Sequence, residues 1–237
     1  MKKSVLVVML VCGVLAGLAQ GQEAISVIAT NVVVGPRTGN LTAGTLYTTN
    51  FPWSVSGGNA VVVMFAAEGA SSMTATFAGQ AMNVTNVFDN DRFVSSIAYL
   101  VKPAASSGDI ELTITTAGGS RLSHAYSVLT LAGVGEVAGS DTRTSNGDLS
   151  YTTSRDGGYV VGVAVNNFFN GPAPTVSVNP DLILLAEAVD GNCSILQAHG
   201  TVDAAGMYSD TYDALAAAAS VAFDWMGPPA GTVVVIK

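Results

Sequence analysis

The feature that most constrains this chain is the recurrence of apolar and β-branched side chains at every second position. Such a period of two places alternate side chains on opposite faces of a strand, and it predicts sheets rather than helices. Short Gly, Asn and Asp interruptions separate the apolar runs about every ten residues. These interruptions are typical of turns between antiparallel strands, so we expect an all-β, two-sheet antiparallel β-sandwich.

The alternation predicts about thirteen strands. They cover residues 25–34, 59–67, 72–77, 81–87, 93–101, 109–116, 122–134, 149–153, 159–166, 182–189, 193–202, 217–225 and 232–236. Asp190-Gly191 predicts a tight hairpin between two of them, because an Asp-Gly pair favours a two-residue turn. Residues 212–219 also have some helical propensity, but the placing of Val221, Phe223 and Trp225 on one face favours a strand.

The N-terminus resembles an export signal. Lys2 and Lys3 precede an apolar stretch over residues 5–18, and Ala19-Gln20-Gly21 has the small-x-small pattern that signal peptidase accepts. The apolar stretch is too short to span a bilayer as a helix. Lipidation at Cys12 is disfavoured because Val11 precedes it. We therefore expect residues 1–21 to be cleaved and the protein to be secreted, extracellular or periplasmic, without a transmembrane segment.

Residues 22–237 are expected to form a single β-sandwich domain. The polar stretch 135–148 is the only plausible linker, and a long loop between strands is the better interpretation because the halves show no obvious internal repeat. Loss of the leader removes two of nine basic residues and leaves all 17 acidic ones. This excess of negative charge argues against a nucleic-acid partner.

Several segments together resemble uncharacterised secreted β-sandwich domains of bacteria. The run TFAGQAM at 76–82 is similar to a strand-turn-strand segment of those domains. AYLVKP at 98–103, followed by ELTI at 111–114, is similar to their next segment. Further similarities are AYSVLTLAGV at 125–134, SVAFDW at 220–225 and VIK at 235–237. The resemblance implies a jelly-roll-like or concanavalin-like sandwich of a surface or extracellular protein.

Reactive side chains are sparse and carry no recognisable catalytic motif. His124 and His199 are predicted to be ordinary strand residues, and Cys193 lies about 20 Å along a strand from His199, too far for a dyad. Asp89 and Asp91 have a spacing that suits calcium, although a turn is the better interpretation. No other cofactor is expected, and a non-catalytic role is favoured over a secreted hydrolase.

Two segments are candidates for sugar binding, because aromatic rings beside carboxylates and amides recognise pyranoses. Tyr208, Asp210 and Tyr212 are predicted to share one loop. Asn167 and Phe169 follow the end of a predicted strand, while Trp53 and Trp225 are interpreted as core. The leading hypothesis is a non-catalytic adhesion, matrix or surface-structural protein whose partner is a glycan or another extracellular component. The alternative is a carbohydrate-binding module.

Overall fold

The computed structural model confirms an all-β antiparallel sandwich of the jelly-roll type. It describes residues 25–35, 39, 41–89, 92–118, 121–167, 175–177, 183–189, 193–213 and 216–227. These residues form strands, turns and bends, and none lies in a helix. Accordingly, the described part contains no helix that is long and apolar enough to cross a membrane.

The described residues form 17 strands. In chain order these are β1 (Ser26–Val34), β2 (Leu46–Ser54), β3 (Ala60–Glu68), β4 (Ala70–Phe77), β5 (Gln80–Ala81), β6 (Asn83–Phe88), β7 (Phe93–Val101), β8 (Ser107–Thr116), β9 (Ser123–Ala132), β10 (Val134–Arg143), β11 (Gly147–Thr153), β12 (Gly158–Asn167), β13 (Thr175–Ser177), β14 (Ile183–Val189), β15 (Cys193–Val202), β16 (Gly206–Asp213) and β17 (Ala217–Trp225).

Four sheets result, two from each half of the chain. We name them the outer N-terminal sheet (β2-β8-β4-β5), the inner N-terminal sheet (β1-β9-β3-β7-β6), the inner C-terminal sheet (β10-β17-β12-β15-β14) and the outer C-terminal sheet (β11-β16-β13). The first two pack together as the N-terminal sandwich and the last two as the C-terminal sandwich. The two inner sheets then pack face to face.

The central strands of the two inner sheets are buried on both faces, which explains why four layers form where the sequence predicts two. On β3, Val62 and Met64 face the inner C-terminal sheet, whereas Val63 and Phe65 face the outer N-terminal sheet. All nine residues of β3 are buried. A strand covered on both sides needs apolar residues at successive positions, so an unbroken apolar run marks an inner sheet.

The two sandwiches repeat one strand order. Each half has eight strands when β5 and β6 are counted as one. If the strands of each half are numbered 1 to 8 in chain order, both inner sheets have the order 1-8-3-6-5, and both outer sheets contain the neighbouring strands 2-7-4. Alternation of eight strands between two sheets is the jelly-roll arrangement. A β-bulge also recurs at the same register, at Ile28 opposite Leu131 and at Ala138 opposite Phe223. The two halves therefore repeat one backbone arrangement, although their sequences show no obvious repeat.

The prediction of a long loop over residues 135–148 is wrong, because β10 and β11 occupy most of it. β10 is an edge strand of an inner sheet and alternates only weakly between buried and exposed positions, which removes the signal on which the sequence analysis relies. The strand β2 was missed because Pro52 interrupts it. Pro52 lies on an edge strand, where a proline can be accommodated without loss of a hydrogen bond between strands.

Most other strand predictions are confirmed. β14 pairs with β15 as predicted, but Val189 lies opposite Ser194, which leaves four residues between the paired positions and not the two of a tight Asp-Gly turn. β17 is a strand from Ala217 as expected. The predicted strand 232–236 lies outside the described residues.

Polar contacts fix the two sandwiches to each other. Gln197 donates from Nε2 to the Met64 carbonyl at 2.9 Å, and the Ser95 hydroxyl donates to the Ala217 carbonyl at 2.8 Å. Between β9 and β10 the connection is Gly133 alone, with φ of 83°. The two sandwiches therefore share an apolar core, and the single domain over residues 22–237 stays a prediction.

Candidate functional site

The predicted sugar-binding loop at Tyr208, Asp210 and Tyr212 is not a loop. These residues lie in β16, which pairs with β11 and β13. The Tyr-x-Asp-x-Tyr spacing is the period of a strand, and it points all three side chains to one face. That face is turned inward: Asp210 and Tyr212 are 1% and 0% exposed, and Tyr208 is half-buried. Tyr212 therefore has no ring surface to offer a sugar.

Asp210 instead belongs to a buried cluster of tyrosines between the two C-terminal sheets. The ring of Tyr151 stacks on Tyr208 with centroids 5.8 Å apart. Burial raises the pKa of Tyr151, and the neighbouring Asp210 carboxylate raises it further. Burial is also the main reason that the pKa of Tyr212 is raised. These shifts keep both phenols neutral, as expected of structural groups.

The second predicted ligand site lies at the end of β12. Asn167 is the last residue of that strand, and only its backbone is described. Phe169 lies outside the described residues. Asn166 is 9% exposed and therefore points toward the interior. Ligand binding by Asn167 and Phe169 stays a prediction.

Asp89 closes the turn between β6 and β7. Its Oδ1 accepts hydrogen bonds from the backbone N–H groups of Arg92 and Phe93, each at 3.0 Å. Arg92 makes its ion pair with Glu68 at 3.4 Å. Asp91 lies outside the described residues, and the described part contains no group of three or more His, Cys, Asp or Glu side chains arranged to hold a metal. Calcium binding by Asp89 and Asp91 stays a prediction.

Replacing Asp89 with alanine is expected to lower the free energy of unfolding by about 2 kcal/mol, because two backbone donors lose a charged acceptor. The loss should be equal in EDTA and in excess calcium when measured by urea unfolding. Asp109→Ala, at an exposed position on β8, is the control and should change little. Calcium-dependent stability that disappears in Asp89→Ala would instead support a metal site.

Both histidines lie in strands and are buried, as the sequence analysis expects for ordinary strand residues. His124 on β9 is 4% exposed and packs among Tyr47, Phe65 and Tyr126, with ring centroids 5.8–6.4 Å away. His199 on β15 is 5% exposed. Burial lowers the pKa of both imidazoles below the ordinary value of 6.5.

Stability should therefore fall in acid. Unfolding returns each histidine to its ordinary pKa, so below pH 6.5 the unfolded chain binds protons that the folded chain does not. The free energy of unfolding should be constant between about pH 7 and about pH 9, below the range in which unfolded tyrosines ionise, and should fall below pH 7 by up to about 1.4 kcal/mol per pH unit for each histidine. Urea unfolding at a series of pH values measures this slope. His124→Gln should reduce it, and an unchanged slope would contradict the assignment.

Trp53, which the sequence analysis interprets as core, is half-buried: its ring packs against the core of the N-terminal sandwich and also borders the surface. Together with Ala29, Pro52 and Ser54 it lines a shallow, mainly apolar surface groove between the edge strands β1 and β2. The indole N–H donates to Thr130 Oγ1 at 2.9 Å, which fixes the ring, and the ring is only partly buried. The sequence does offer one signal for this partial exposure: Pro52 directly precedes Trp53, and a proline within a strand favours an edge position.

Comparison with known proteins identifies no family. No family model and no curated protein matches the chain. Among solved structures, a chain of Red Clover Necrotic Mosaic Virus is 7% identical, with 88% of this chain and 99% of that chain covered at a TM-score of 0.22. A223, a turret protein in Sulfolobus turreted icosahedral virus, is 12% identical, with 81% and 97% covered at a TM-score of 0.18. Similarity this low supports no statement about function.

Proposed function

We propose that this chain is an exported, non-catalytic protein with an adhesion, matrix or surface-structural role. The observation that carries the proposal is the outward face of the outer N-terminal sheet. Thr48, Thr113 and Thr74 lie side by side across three strands in the centre of that face. The adjoining rows are Leu46, Thr115 and Ser72 on one side, and Asn50, Glu111 and Thr76 on the other.

The outer C-terminal sheet has a similar outward face. Ser150 lies opposite Ser209, and Thr211 lies opposite Asp148 and donates its hydroxyl to that carboxylate at 2.5 Å. Small hydroxyl side chains at regular strand spacing form a flat polar surface with little conformational entropy to lose on contact. A slab with two such faces is suited to packing against neighbouring extracellular material.

The buried acids support a structural rather than a catalytic role, because each lies in a different part of the molecule. Glu68 is paired with Arg92, and Asp210 lies beside Tyr151 between the C-terminal sheets. Asp224 accepts the backbone N–H of Ser154 at 2.8 Å. Hydrolysis of a glycoside needs two carboxyl groups about 5–10 Å apart across a cleft.

The proposal is tested by expressing the full chain in a bacterial host that exports proteins and cleaves their signal peptides. Intact mass should show cleavage after Gly21, and the exported protein should be retained in the sedimented cell or matrix fraction. Thr113→Lys and Ser150→Lys each place a charge on one of the two outer faces and should release the protein into the medium. Ser56→Lys, in an exposed turn, is the matched control. A protein found free in the medium, or retained equally in all variants, would contradict the proposal.

The second candidate function is carbohydrate binding, and the groove at Trp53 is the observation that favours it. An indole fixed by its hydrogen bond to Thr130 offers a rigid apolar surface to a sugar ring at low entropic cost. A glycan array with the wild type and Trp53→Ala tests this function. Binding that is lost in Trp53→Ala but kept in Tyr208→Ala would support the groove, whereas no binding by the wild type would exclude it.

A further inference from the structure

His199 lies at the interface between the two inner sheets, on the face of β15 that packs against the N-terminal sandwich. Its Nδ1 is hydrogen-bonded to the hydroxyl of Tyr159 on β12, and the two rings are 5.6 Å apart at 30°. Tyr159 is 3% exposed and is part of the shared core. In the neutral state the phenol donates to an unprotonated Nδ1, so this pair is satisfied without any charge.

The strands packed against β15 offer no counter-charge among the described side chains. From β12 the titratable neighbour is Tyr159, and β3 and β9 present apolar residues such as Val62 and Leu129. Glu68, the acid on the inward face of β3, lies at the opposite end of that strand beside Phe93. On β14, the residue that pairs with His199 is Ile183, which carries no charge.

The repeat shows that packing at this position does not require an imidazole. Tyr99 pairs with Val62 on β3 as His199 pairs with Val161 on β12, so the two residues occupy equivalent positions in the two sandwiches. Tyr99 packs edge-on against Phe223 at 5.7 Å. The N-terminal sandwich thus places an aromatic ring that stays neutral in acid where the C-terminal sandwich places a titratable one.

We propose that His199 makes the interface between the two sandwiches an acid-sensitive joint, which loosens between β15 and β9 when the imidazole is protonated. Protonation gives Nδ1 a hydrogen that points at the phenol, so the hydroxyl of Tyr159 must turn away and lose its acceptor. It also leaves a cation in an apolar layer, which is unfavourable without a partner. Opening the joint admits water to the imidazolium. The apolar core within each sandwich contains no part of this pair and stays closed. This inference is independent of the proposed function.

The test compares two buried positions that are adjacent on β9 and face different layers. Ser127 lies in the interface, and Val128 lies in the core of the N-terminal sandwich; both are 0% exposed. Ser127→Cys and Val128→Cys are made separately in the full chain with Cys12→Ser and Cys193→Ser. The thiols are labelled with 4,4′-dithiodipyridine, which reacts in acid as well as at neutral pH.

Between pH 7.5 and pH 5, labelling of the Ser127→Cys variant should accelerate by about tenfold or more relative to labelling of the Val128→Cys variant. His199→Gln, which keeps a neutral hydrogen-bonding side chain, should abolish this acceleration. His124→Gln is the matched control and should keep it, because His124 packs within the N-terminal sandwich. Equal acceleration at both positions would show global unfolding and overturn the proposal. So would protection at position 127 down to pH 5, or acceleration that survives in His199→Gln.

Discussion

Gly162→Ala is expected to lower the free energy of unfolding by about 2–3 kcal/mol, as overpacking in a closed core does. A Cβ atom at this position would lie 2.1 Å from the hydroxyl oxygen of Tyr212. Tyr212 is fully buried between the inner and outer C-terminal sheets, so its ring has no free space into which it could withdraw. Urea unfolding followed by circular dichroism measures the loss.

The rescue by Tyr212→Phe makes this prediction specific. The hydroxyl of Tyr212 has no hydrogen-bond partner among the described residues. Removing this buried polar group should therefore change the free energy of unfolding little, because no hydrogen bond is lost. In the double variant, most of the loss caused by Gly162→Ala should be recovered. Gly139→Ala is the control, because the nearest atoms to its added Cβ are 3.8 Å away. If the two substitutions were simply additive, the close approach to the hydroxyl would not be the cause.

The class of fold could be predicted from the sequence because the period of two is a local property of each strand. The number of layers could not, because it depends on which strands are covered on both faces. The run AVVVMFAA at 60–67 contained that information, since a strand with one solvated face would alternate with polar residues. One such run, however, indicates only that its own strand is covered on both faces and does not give the number of stacked sheets.

The internal repeat was invisible in the sequence because it is conserved in register and not in side-chain identity. Leu131 and Phe223 occupy equivalent positions beside the repeated bulge, and Tyr99 and His199 are another such pair. Each pair keeps its place in the strand pairing while the residue type changes. Strand order and bulge position are backbone properties, so they become apparent only when the pairing of the strands is known.

The candidate sites show the same limit. The alternation of Tyr208, Asp210 and Tyr212 correctly puts three side chains on one face, but the sequence does not say whether that face is covered. The outer C-terminal sheet is folded so that this face meets the inner sheet, and a tyrosine-rich strand that suggested a sugar site is core. That the ring of Trp53 is only half-buried follows from the edge position of β2, which is a consequence of topology.

Phe223→Ala is expected to lower the free energy of unfolding by about 3–4 kcal/mol through the cavity that it leaves. Phe223 is fully buried in the core shared by the two sandwiches, where it packs edge-on against Tyr99 of the N-terminal sandwich. Because its contacts span both sandwiches, the loss should destabilise them together. With a urea dependence of about 2 kcal/mol per molar, the midpoint of unfolding should fall by about 1.5–2 M.

The two tryptophans allow each sandwich to be followed separately, since Trp53 lies in the N-terminal sandwich and Trp225 in the C-terminal one. In the single-tryptophan backgrounds Trp53→Phe and Trp225→Phe, fluorescence should report one coincident transition, and Phe223→Ala should shift both reporters by the same amount. Ile28→Ala, at a side chain that is 48% exposed, should shift neither. A Trp53 transition that stays in place while the Trp225 transition moves would mean that the shared core does not couple the sandwiches. Residues 22–237 would then be two domains in contact, because a single cooperative unit cannot lose several kcal/mol in one half alone.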